Sequence, residues 1–159
     1  MKRTAISTVL LLAAFAAPAL GQRIRQISME GPVEDPVRYG IASDLETYPQ
    51  SHPHETIRSV MKASVSGHLD YMMAQLLSPS QVDAKLKGSA SAMRRLTSKS
   101  TPQGQKRIAA ALECHLENGN WLITRRYAWA QTEGLPDLSL ERIGDRWYMH
   151  NVAVPVPQR

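Results

Sequence analysis

The apolar positions of this 159-residue chain change their period three times. An almost unbroken apolar run covers residues 5–17, and residues 22–51 show no sustained period. From residue 53 to 97 apolar side chains recur every three to four positions, the spacing of one helix face. From residue 105 onward they alternate, the spacing of one sheet face.

The helical stretch begins at Pro53, whose fixed φ suits a first turn, with Glu55 placed where the helix dipole favours an anion. Ile57, Val60, Met61, Ser64 and Val65 give the first apolar stripe, and Gly67 interrupts it. Leu69, Met72, Met73, Leu76 and Leu77 predict a second short helix. Ser78-Pro79-Ser80-Gln81 has the form of a capping box, opening a third helix that carries Val82, Leu86, Ala90, Met93 and Leu96 or Thr97. Gly88 bends this helix or ends it. Ser98 to Gly104 is a polar connection.

Ile108, Ala110, Leu112, Cys114 and Leu116 alternate and predict a strand over 105–117; the alanines at 109–111 leave a helix open as the other reading. Asn118-Gly119 then carries the signal of a two-residue hairpin with positive φ at both positions. Trp121, Ile123, Arg125, Tyr127 and Trp129 alternate on the return and share one face, with Cys114 opposite Ile123 and Leu112 opposite Arg125. After a loop containing Gly134 and Pro136, a second hairpin, Leu138–Ile143 and Arg146–Val152, turns at Gly144-Asp145. Leu138, Leu140 and Arg142 share a face with Trp147, Met149 and Asn151 in that register. Helices first and strands afterwards predict an α+β fold: two or three N-terminal helices packed on a curved four-stranded antiparallel meander sheet.

The first apolar run changes the picture of where this domain begins. Lys2 and Arg3 precede it and Ala19-Leu20-Gly21 follows, so residues 1–21 read as a signal peptide cleaved before Gln22, with an uncleaved N-terminal anchor as the alternative. Pro32, Pro36 and Pro49 make 22–51 a flexible tether or a loosely docked arm. Residues 52–152 form one α+β domain, and 153–159 a proline-rich disordered tail. The expected location is secreted or periplasmic. Losing Lys2 and Arg3 lowers the net charge from +5 to +3, which is too mild for a nucleic-acid partner. No membrane association is expected after signal cleavage. Cys114 is the sole cysteine, so no disulfide within the chain is available.

Pro53 to Lys62 as an opening helix, and Leu138 to Met149 as a closing hairpin with a Gly-containing turn and an aromatic after it, resemble segments of the nuclear transport factor two-like, or SnoaL-like, cystatin-like cone superfamily over about residues 52–152. The resemblance implies a cone whose helices and sheet enclose a pocket. It also implies dimers through the sheet, and in some members isomerase, cyclase or dehydratase chemistry through an Asp, His or Tyr. No aspartate lies on the predicted inner face here.

Arg125 is the candidate with most to say, because a guanidinium in an apolar face needs a partner. It reaches water at the sheet rim, pairs with Asp70 or Asp83, or meets an anionic ligand at a pocket mouth. Trp121, Tyr127, Trp129 and Trp147 line the same faces, as core or as pocket wall. Arg125, Tyr127, Trp129 and Trp147 are thus the candidate ligand-binding residues. His52, His54 and Glu55 look like half a metal site, but His68, His115 and His150 fall on other elements, so no metal or other cofactor is expected. His115 and Glu113 share the opposite face of the expected first strand. Cys114 reads as a small buried hydrophobe. The basic pairs Arg94-Arg95, Lys106-Arg107 and Arg125-Arg126 read as solvated faces, with an anionic envelope or polysaccharide partner as the alternative.

The expectation is an exported non-catalytic binding module for a small-molecule or anionic ligand, or for a protein. The alternative is a SnoaL-like enzyme using general acid–base chemistry through Tyr127 or a histidine. A homodimer through the outer sheet face at Leu122, Ala128 and Ala130 is a third expectation.

Overall fold

A computed structural model describes residues 37–150. The expected signal peptide, the first part of the tether, the end of the last strand at 151–152 and the tail lie outside the described residues. The elements run α1 (Pro53–Val65), α2 (Leu69–Tyr71) continuing into a π-helical turn (Met72–Leu76), α3 (Pro79–Leu86), α4 (Ala90–Thr97), α5 (Pro102–Asn118), β1 (Asn120–Ile123), β2 (Tyr127–Gln131), β3 (Leu138–Ile143) and β4 (Arg146–Met149). The strands form an antiparallel meander in the order β1-β2-β3-β4. The architecture is α+β, as the order of periods predicts, with an open sheet rather than a barrel.

Local chemistry explains most boundaries. Pro53 occupies the first turn of α1, and Ser89 caps α4 by accepting from the Ala92 amide at 3.2 Å. The third predicted helix is two helices: Lys87 (φ 49°) and Gly88 (φ 74°) are both left-handed and end α3. Ser78 holds the cap position of α3 and Pro79 the first turn, yet the Ser78 hydroxyl makes no cap bond. It donates instead to Glu141 on β3.

The strand expected over 105–117 is α5. Thr101 caps it by accepting from the Gly104 amide, and Pro102 opens it. Its buried residues are Ala109, Leu112 and His115, a helical stripe rather than an alternation. Asn118-Gly119 is therefore a helix stop: Gly119 has φ −74° and ψ 138°, not the positive φ of the expected hairpin.

The predicted return strand is a hairpin of its own. Thr124 and Tyr127 close it, with the Thr124 amide donating to the Tyr127 carbonyl at 2.8 Å, and Arg125-Arg126 form its tip. Leu122 pairs with Trp129 and Ile123 with Ala128, so the alternation changes parity at the tip. Trp121 and Ile123 share the helix-facing side with Ala128, Ala130, Leu138, Leu140, Trp147 and Met149. Tyr127 and Trp129 lie on the other side, against expectation. The last hairpin keeps its expected register, Ile143 opposite Arg146 and Leu140 opposite Met149. Gly144 at its first turn position has φ 64°.

The core sits between that sheet face and the helices, where Ile57, Val60, Ala74, Leu76, Leu140 and Trp147 are buried. Residues 37–51, expected as part of the tether, pack on the domain. Gln50 donates to the Gln75 and Trp147 carbonyls at 3.0 and 2.8 Å, and the Trp147 amide donates to the Gln50 carbonyl. Together with the Leu77–Met149 bridge this covers the free edge of β4.

Candidate functional site

At the tip of the β1–β2 hairpin, Arg125 and Arg126 project where the chain reverses. The neighbouring β3 brings Arg142 beside them, because its amide donates to the Arg126 carbonyl at 2.8 Å. With Gly144 these arginines line a cleft of about 360 Å³. All three are exposed, and no carboxylate of the described residues forms an ion pair with any of them. The Arg126 guanidinium lies 5.5 Å from the centre of the Tyr127 ring, and Tyr127 packs at 5.6 Å on Trp129. The arrangement is a cation-lined notch backed by an aromatic pair.

The sequence singled out Arg125 for a different reason, an inward position in an apolar face. The parity change at the hairpin removes that position and leaves the guanidinium exposed at the sheet rim. Neither expected carboxylate serves it. Asp83 accepts from Arg38 and Tyr39 at 2.6 and 2.7 Å, and Asp70 accepts from the Tyr71 amide. Tyr127 stays beside Arg125 through Arg126. Trp129 is buried on the outer side of the sheet, and Trp147 is a core residue that pairs with Arg142 across β3 and β4 without lining the notch. Arg126 and Arg142 were missed as ligand groups: the pair at 125–126 reads as a solvated patch until a third arginine is placed across the hairpin bond.

A second polar group lies on the outer side of the sheet. The Ser139 hydroxyl meets His150 Nδ1 at 3.1 Å, His150 Nε2 lies 3.5 Å from Glu141, and Ser78 donates to the same carboxylate. Burial pushes the His150 pKa down, partly offset by Glu141. Ser139 is only 2% exposed, so the set is closed to a substrate. It ties the α3 entrance to β3 and β4. The Ser139–His150 pairing follows from the register read for the last hairpin, which offered the signal.

The other candidate residues are apart. His54 packs its ring on Trp121 at 4.4 Å, His68 Nδ1 meets the Tyr48 hydroxyl, and His115 Nδ1 meets the Thr132 hydroxyl at 2.8 Å. Glu55 accepts from Ser51. No group of three or more His, Cys, Asp or Glu among the described residues is placed to hold a metal ion. Cys114 is half-buried on α5 and not inside the core opposite Ile123. The outer-face dimer surface is also altered: Ala128 and Ala130 are fully buried on the inner side. No helix of the described residues is long and apolar enough to cross a membrane.

Comparison with protein-family models, with curated proteins and with solved structures finds no match to this chain.

Proposed function

We propose that this protein is an exported, non-catalytic binding module whose Arg125–Arg126–Arg142 notch takes a multiply charged oxyanion. One observation carries the reading: three exposed arginines line a single small cleft, and no carboxylate of the described residues forms an ion pair with them. Like charges gathered on one surface repel, and an incoming dianion relieves that repulsion while screening by salt weakens it. Guanidinium forks match the geometry of phosphate and carboxylate oxygens. The hydrogen bond between the Arg142 amide and the Arg126 carbonyl holds the two strands that carry them in register. The leader read from residues 1–21 supports the exported location. The reading stands on these arginines and not on the cone resemblance.

Isothermal titration with inorganic phosphate, and separately with citrate, tests it. Saturable binding that weakens with added salt is expected for at least one of the two. Arg142→Ala should weaken it about tenfold, with the melting temperature unchanged because Arg142 is exposed. Equal affinity in the Arg125→Ala/Arg126→Ala/Arg142→Ala variant, or no binding of either anion by the native protein, overturns the reading.

A further inference from the structure

Away from the notch, the outward side of α5 has a feature that folding of the single chain does not use. Gly104, Ile108, Ala111 and Cys114 fall at helical spacing along one stripe, and with Arg107, Ala110 and the 133–135 loop they line a groove of about 850 Å³. Ile108 is 46% exposed in it. Small side chains at 104, 110 and 111 leave the helix backbone open to close approach by another helix.

The charges on α5 are polarised against the helix itself. Lys106 and Arg107 follow its first turn, whereas Glu113 and Glu117 lie toward its end, Glu117 in the last turn. A helix dipole favours the reverse placement. Glu113 and Glu117 are also four residues apart, where like charges repel. All four side chains are exposed, and none forms an ion pair with a described residue.

We infer that this groove is the interface with a second copy of the chain, the two α5 helices crossing antiparallel about a two-fold axis near Ala110–Ala111. Reversing the helix direction sets Lys106 and Arg107 of each copy against the partner's Glu113 and Glu117, and two-fold symmetry makes the match twice over. A parallel pairing sets like on like. The small residues then fall where the helices approach most closely, and Ile108 of each copy packs between the partner's Ala111 and Leu135. An unrelated apolar partner gives no reason for the charge reversal; a second copy does. The interface lies on α5 and not on the sheet.

Sedimentation velocity of the full chain over a concentration range tests this, at low and high salt. A concentration-dependent species of twice the chain mass, weakened by salt, is expected. The all-basic variant Glu113→Lys/Glu117→Lys and the all-acidic variant Lys106→Glu/Arg107→Glu should each self-associate about tenfold or more weakly. Mixed together they should form a heterodimer. Since exposed charges contribute little to folding, both variants should keep the native thermal transition. Ile108→Glu, at an already exposed position, should abolish association alone. A strict monomer at all concentrations overturns the inference, and so does a dimer indifferent to these reversals or to Ile108→Glu.

Discussion

Gly119 shows how one residue decides which element its neighbours join. It follows the last residue of α5, and a Cβ there would overlap the His115 carbonyl oxygen and crowd the Trp121 indole nitrogen. That close approach lets Trp121 Nε1 donate to the same carbonyl at 3.0 Å, fastening β1 to the helix end. Gly119→Ala should therefore lower the unfolding free energy by about 1–3 kcal/mol, the cost of overpacking, as measured by urea denaturation. An unchanged midpoint would show that the junction moves aside freely. The glycine was legible as a chain reversal, but not as this one. An Asn-Gly pair serves a tight hairpin and a helix stop alike; here the negative φ of Gly119 excludes the hairpin turn, and the close approach to the His115 carbonyl, not φ, is what calls for glycine. Arg125 failed in a related way. Its neighbours' alternation was real, yet a two-residue tip at Arg125-Arg126 turns Tyr127 and Trp129 to the other face.

At the scale of elements, α5 is where reading and structure part most clearly. Its even-numbered positions 108–116 are all apolar, which imitates a strand, but two of them are alanine and cysteine, small enough to sit on either kind of surface. The stripe that is buried runs Ala109, Leu112, His115, and a histidine among its members hid it from an apolar count. The register of the last hairpin was legible over its described residues because Gly144-Asp145 and strongly apolar flanks agree on it. These junctions also set a pH dependence. Burial lowers the pKa values of His115, between α5 and the loop after β2, and of His150, between β3 and β4. The unfolded chain therefore binds protons more readily than the folded one just below the ordinary value of 6.5. Stability is complete above that value and falls as the pH drops below it. Urea midpoints measured between about pH 7.5 and pH 5 should decline, and His150→Gln should flatten the decline. An identical slope in that variant would remove His150 as a source.

For the whole molecule, residues 37–51 are the instructive stretch: of the two readings, flexible tether or loosely docked arm, their contacts are those of a docked arm. Three prolines and a missing period marked 22–51 as tether, and the segment 37–51, which holds Pro49 of the three, has no helix or strand. What they miss is that irregular chain can be pinned by single side chains. Arg38 donates to the Ala74 carbonyl and to Asp83, each at 2.6 Å, and Gln75 donates to the Ile41 carbonyl at 2.7 Å. Tyr48 is 5% exposed against Tyr71, and Ser59 donates to the Pro49 carbonyl at 2.8 Å. Gln50 satisfies two buried carbonyls, those of Gln75 and Trp147, beside the edge of β4. The arm thus completes the sheet edge and caps the π-helical turn at once. A chain beginning at Val37 should keep the full set of these contacts, whereas one beginning at His52 exposes the Tyr71 ring and removes the Gln50 amide from both carbonyls, leaving that of Trp147 only the longer bond from the Thr56 hydroxyl. Burial of one aromatic and two buried hydrogen bonds together imply a difference of about 4 kcal/mol or more between them. Thermal unfolding of the two truncations measures it directly. Equal melting temperatures would make the arm a passenger. A large gap, with Gln50→Ala in the longer chain reproducing part of it, would place the start of the folding unit before residue 51.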